Sequence, residues 1–82
     1  MSDPDALEAR FWPMFSQVMS KPIAPGRHDK AELPEWDSLR HVELIFSLED
    51  TFGVAVPRDR IADLYSDTDT VLAFLREQGA GS

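Results

Sequence analysis

The sequence predicts an all-α bundle of four helices, and three observations carry that expectation. Apolar residues recur at i, i+3 and i+4 in four separate segments. No segment alternates apolar and polar residues with period two over a useful length, which argues against strands. A length of 82 residues allows a single domain with one modest core, placed over about residues 5–78, with a frayed tail at 79–82.

The first helix is expected over residues 5–19, where Leu7, Phe11, Met14, Phe15 and Val18 form an apolar stripe. Trp12 neighbours that stripe and is expected to be partly exposed. Asp3, Asp5 and Glu8 suit the positive N-terminal end of the helix. Pro13 falls inside the pattern and removes one backbone donor, so it is expected to kink the helix or split it. Residues 20–36 hold Pro22, Pro25, Gly26 and Pro34 among many charges and read as a long irregular connection. A loop of this length in a small domain points to function or mobility. Ile23, Leu33 and Trp36 are the residues able to pin it to the core. His28 reads as a solvated loop residue, because no second ligand lies at metal spacing.

The second helix is the clearest element, residues 38–52. Asp37 or Ser38 can cap its start, and Gly53 can take the left-handed position that ends it. His41, Leu44, Ile45, Leu48 and Phe52 fall on one side, which reads as core. Leu39, Val42 and Phe46 fall on a different side, near Glu43, Glu49 and Asp50. That second apolar stripe is more than one core face requires. Val54-Ala55-Val56-Pro57 reads as an extended link, and Pro57 favours a helix start after it. A short third helix follows over residues 58–65, with Ile61, Leu64 and Tyr65 inward and Arg58, Asp59, Arg60 and Asp63 on a solvated face. The turn at 66–70 is rich in capping residues, and the last helix is expected over 69–78 with Val71, Leu72, Phe74 and Leu75 apolar.

Composition narrows the function. With 8 Lys and Arg against 15 Asp and Glu, the formal charge is −7. A phosphate backbone would repel such a surface, so no nucleic-acid partner is expected. Partners with basic patches, met through fast and salt-sensitive encounters, fit better. The chain has no cysteine, hence no disulfide and no thiolate metal site. No apolar run reaches the roughly 18 residues of a membrane span. The start Met1-Ser2-Asp3-Pro4-Asp5 lacks the basic and apolar regions of a signal peptide, so a cytoplasmic monomer without metal is expected.

One short run carries chemistry. Trp36-Asp37-Ser38-Leu39 stands at the start of the second helix. It sets a serine hydroxyl beside a carboxylate at the positive end of a helix dipole. Free backbone N–H groups at such an end favour an anion, so this is a suitable place to attach a phosphate-linked group.

From Leu33 to Leu75 the sequence resembles the acyl carrier protein family. The resemblance rests on Asp37-Ser38-Leu39, then Val42-Glu43-Leu44, then Leu48-Glu49, then Phe52, then the hydrophobic link ending in Pro57. It implies the four-helix acyl-carrier bundle: three main helices, a short third one and a long loop between the first two. It further implies that Ser38 is esterified with 4′-phosphopantetheine from coenzyme A by a phosphopantetheinyl transferase, with Asp37 and Leu39 flanking the attachment site. The arm's thiol then carries acyl groups as thioesters, and the chain itself is not an enzyme. The implied docking face comprises Arg40, Val42, Glu43, Phe46, Glu49 and Asp50. The implied partners are the transferase, an acyl-loading ligase or acyltransferase, and a ketosynthase or other condensing enzyme.

Three features depart from the family pattern. Glu35 stands where the family often has glycine and is followed by Trp36, which either packs under the loop or contacts the arm. Arg40 stands where acidic or polar residues are common. Residues 1–32 align only by pattern. These departures favour a stand-alone carrier of a polyketide, peptide or related pathway over the housekeeping fatty-acid carrier. Two other functions compete: an aminoacyl or peptidyl carrier, and an unmodified helical interaction module in which Ser38 only caps. A hydrolase built on Asp37, Ser38 and His41 is disfavoured by the absence of an evident oxyanion hole or strand-turn-helix elbow. His41 is expected at the edge of the core with its polar tip in water.

Overall fold

The computed structural model describes residues 6–79. Four helices make up the fold: α1 (Ala6–Met19), α2 (Ser38–Phe52), α3 (Arg58–Leu64) and α4 (Thr68–Glu77). Among the described residues there is no strand, only an isolated antiparallel bridge between Asp29 and Asp67. None of these helices is long and apolar enough to cross a membrane. Asp3, Asp5 and residues 80–82 lie outside the described residues.

α1 runs unbroken through Pro13, so the expected split does not occur. Proline denies a hydrogen bond only to the carbonyl four residues earlier, that of Ala9. Both Ala9 and Pro13 are exposed, so water can satisfy that carbonyl. The rest of the helix buries Leu7, Phe11, Trp12, Met14, Phe15, Val18 and Met19. Trp12 is 5% exposed rather than partly exposed. Its ring packs edge-on against Phe11 and Phe15, and its indole N–H donates to Glu8 Oε1 at 2.9 Å.

α1 ends in a Schellman arrangement. Lys21 N–H donates to Ser16 O and Ser20 N–H to Gln17 O. The left-handed residue is Ser20, with φ 60°, where glycine is usual. Pro22 follows and has no N–H to offer the carbonyl of Val18, four residues before it.

The long connection, residues 20–36, is fastened rather than loose. Ile23, Leu33 and Trp36 are all buried, as expected, and each contributes about 1.5–3 kcal/mol against the entropy of ordering the loop. Trp36 is 2% exposed and meets the ring of Phe15 edge-on. It therefore packs under the loop and is not a surface contact for an attached group. The middle of the loop is tied to the start of α4. Lys30 N–H donates to Ser66 O at 2.9 Å and Thr68 N–H to His28 O at 2.8 Å. Thr68, fully buried, accepts from His28 N–H and donates to Gly26 O. His28 is accordingly half-buried, with Nε2 2.8 Å from Ala24 O and its ring edge-on to Trp12.

α2 has both expected ends. Asp37 is the cap residue, and Gly53 is left-handed at φ 67° with its N–H on Glu49 O. α3 begins directly after Pro57. α4 begins at Thr68, one residue earlier than expected, because the Asp67 carboxylate accepts from Thr70 N–H. The Thr70 side chain first, then that N–H and the nearby Arg27 guanidinium, hold the Asp67 carboxyl below its ordinary value.

Candidate functional site

The start of α2 is built by a sequence of fixed residues. Trp36 is buried and its N–H donates to Leu33 O at 2.9 Å. Asp37 follows in extended conformation, φ −99° and ψ −178°. Its carboxylate accepts from Arg40 N–H at 2.8 Å, and its carbonyl accepts from His41 N–H at 2.9 Å. Asp37 therefore supplies the cap. Ser38, the first residue of the helix, is exposed, and no described residue hydrogen-bonds its hydroxyl. The N–H groups of Ser38 and Leu39 also have no acceptor among the described residues, as expected of a helix start. A hydroxyl, two free N–H groups and the positive end of a 15-residue helix thus coincide.

The surface next to this serine is apolar. Leu39 is 70%, Val42 46% and Phe46 66% exposed, while His41, Leu44, Ile45 and Leu48 on the opposite side are buried. The two stripes expected from the sequence are thus one core face and one solvent face. Glu43 and Asp50 are exposed beside the second stripe. They border a groove of about 410 Å³ between α1 and α2, shared with Gln17, Ser47 and Thr51.

Two of the expected docking residues point elsewhere. Arg40 is half-buried, and its Nη1 donates to Val18 O at 2.6 Å and to Ser20 Oγ at 2.8 Å. Arg40 thus ties α2 to the end of α1 within the bundle. Glu49 is also half-buried, and its Oε2 accepts from Val56 N–H at 3.1 Å, fixing the link to α3. Val42, Glu43, Phe46 and Asp50 remain on the open face.

His41 is 4% exposed, so its polar tip is not in water. Trp36 Nε1, which can only donate, lies 3.2 Å from His41 Nδ1. Nδ1 is therefore the acceptor, and Nε2 carries the proton and donates to Ile61 O at 2.6 Å. The ring also stacks on Tyr65 at 4.7 Å, and the Tyr65 hydroxyl donates to Trp36 O at 3.1 Å. Burial pushes the His41 pKa below its ordinary value. Both ring nitrogens are thus committed to other groups, and the structure does not join His41 to Ser38. The spacing of Ser38 and His41 on one helix is compatible with contact, but the imidazole turns inward to Trp36 and Ile61 while Ser38 stays exposed. The Trp36–His41–Tyr65 cluster had no signal in the sequence beyond its aromatic content. Among the described residues no group of His, Asp and Glu side chains could hold a metal ion.

No known protein family, curated protein or solved structure matches this chain.

Proposed function

We propose that this chain is an acyl carrier protein whose Ser38 bears a 4′-phosphopantetheine arm carrying acyl intermediates between biosynthetic enzymes. The observation that carries this reading is that Ser38 has no structural work. It is exposed at the first position of α2, its hydroxyl hydrogen-bonds to no described residue, and the capping role belongs to Asp37.

The residues at the site fit the group. The Ser38 hydroxyl is open to a transferase, and the free N–H groups of Ser38 and Leu39 favour the negative charge of a phosphodiester there. When attached, the arm supplies a thiol that holds a carboxylic acid as a thioester, a function this cysteine-free chain has no side chain to provide. Leu39, Val42 and Phe46 offer a partner an apolar contact that starts next to the attachment point. Glu43 and Asp50 favour a basic partner surface, and the net charge of −7 speeds the encounter. The small size of this patch favours brief contacts, as a shuttle between a phosphopantetheinyl transferase, an acyl-loading enzyme and a condensing enzyme requires.

The test is intact mass after incubation with coenzyme A and a broad-specificity phosphopantetheinyl transferase. The reading expects one phosphopantetheine on the wild type and none on Ser38→Ala. An unmodified wild type, under conditions that load a known carrier, would favour the helical interaction module instead.

A further inference from the structure

We infer that Arg40 is a positioning residue for the loading of Ser38, an inference that rests on the carrier reading above. Helix starts fray, because their first N–H groups lack intrahelical partners. A serine that must be presented to another enzyme's reacting centre gains from a first turn that is already ordered. Ser38 lies between two anchors. Trp36, two residues before it, is buried against Phe15 of α1. Arg40, two residues after it, is held at both ends of its length. Its backbone N–H donates to the Asp37 carboxylate, and its Nη1 reaches Val18 O and Ser20 Oγ at the end of α1.

The end of α1 is made to receive it. Val18 O belongs to the last turn, and Pro22 cannot donate to it, so Arg40 fills a place the sequence leaves open. Ser20 keeps a left-handed conformation that glycine would adopt more readily, and its hydroxyl is the second acceptor. The adjacent Lys21 pairs with Glu35 at 3.2 Å, which ties the same corner of α1 to the segment entering Ser38. α1 thus grips the chain on both sides of the serine, and Arg40 is the grip on the helix side. It acts through the bundle and not by touching the transferase.

The experiment measures loading rates for wild type, Arg40→Ala, Arg40→Lys, Ser20→Ala and the double variant Ser20→Ala/Arg40→Ala. Amide exchange at Arg40 and His41, whose N–H groups donate to Asp37, is followed in parallel. Arg40→Ala is expected to lower kcat/KM for loading about tenfold, by the same factor at low and high salt. Its two amides exchange faster by a similar factor. Arg40→Lys retains most of the rate, since a single nitrogen makes both contacts in the wild type. Ser20→Ala slows loading a few-fold alone and has no further effect when Ala is already at 40, because both changes break one contact. Wild-type loading by Arg40→Ala overturns the inference while leaving the carrier reading intact. So does a loss that shrinks with salt, or one that multiplies independently with Ser20→Ala, since either puts Arg40 on the enzyme. A wild type that is not loaded at all overturns the carrier reading, and this inference with it.

Discussion

Replacing His41 tests how the loop, α2 and α3 are joined. His41→Leu keeps an apolar group of similar size but strands two polar groups, the Trp36 indole N–H and the Ile61 carbonyl. Each unsatisfied buried group costs about 1–3 kcal/mol, so the variant should lose about 2–6 kcal/mol near neutral pH. That is a large share of the about 4–12 kcal/mol expected of a domain this size. The same substitution should also change the response to acid. Burial favours neutral His41 in the fold, and Lys30, which reaches over the adjacent Tyr65 ring, acts in the same direction. The unfolded chain, with the ordinary value of 6.5, therefore binds more protons at mildly acid pH. His41 contributes its full stability above that value and loses it as pH falls below, at no more than about 1.4 kcal/mol per pH unit. Asp67, whose pKa is depressed, stabilises the fold above its ordinary 3.8 and loses that contribution only at lower pH. The interval between about pH 7 and about pH 5 thus isolates the histidine. Urea unfolding across that interval should show wild-type stability falling with acid and a flatter His41→Leu profile. Adding Trp36→Phe should cost less than its effect alone, because its donor has already lost its acceptor. A His41→Leu profile as steep as the wild type would refute the assignment.

Three further substitutions probe the frame around the site. Asp37→Ala should lower unfolding stability by about 1 kcal/mol, whereas Ser38→Ala should stay within about 0.5 kcal/mol, since only Asp37 caps α2; equal losses in chemical denaturation would return the cap to Ser38. Gly53→Ala should cost about 1–2 kcal/mol through its positive φ alone, because an added Cβ meets no atom within 4 Å. An unchanged thermal midpoint would show that the turn relaxes freely. Thr68→Val strands His28 N–H and Gly26 O and should cost about 2–4 kcal/mol, with amide exchange rising at Lys30 and Thr68; protection equal to wild type would mean that the loop is held without Thr68.

Much of the frame was legible in the sequence because it depends on local rules. Helical periodicity found four helices, Gly53 ended α2, and Ile23, Leu33 and Trp36 stood out as the loop's apolar anchors. The exposed stripe of Leu39, Val42 and Phe46 was visible as an excess over one core face. Periodicity assigns a residue to a side of its helix but does not name the atom it meets. Arg40 and Glu49 looked like surface charges, yet each has a stem long enough to turn back and satisfy a backbone group. His41 sat on the core side, but its two partners come from the loop and α3, which only the tertiary fold brings together. Local propensity points to a kink or split at Pro13 because it takes no account of the seven buried side chains that hold α1 together as one helix.

Covalent attachment at Ser38 is tested by locating the added mass within the chain. Wild-type protein treated with coenzyme A and a phosphopantetheinyl transferase should be digested and its peptides sequenced by fragmentation. One phosphopantetheine is expected, carried by Ser38 and by none of the other serines. A loaded chain with the group on another residue, or a chain left unmodified where a known carrier is loaded, would contradict it.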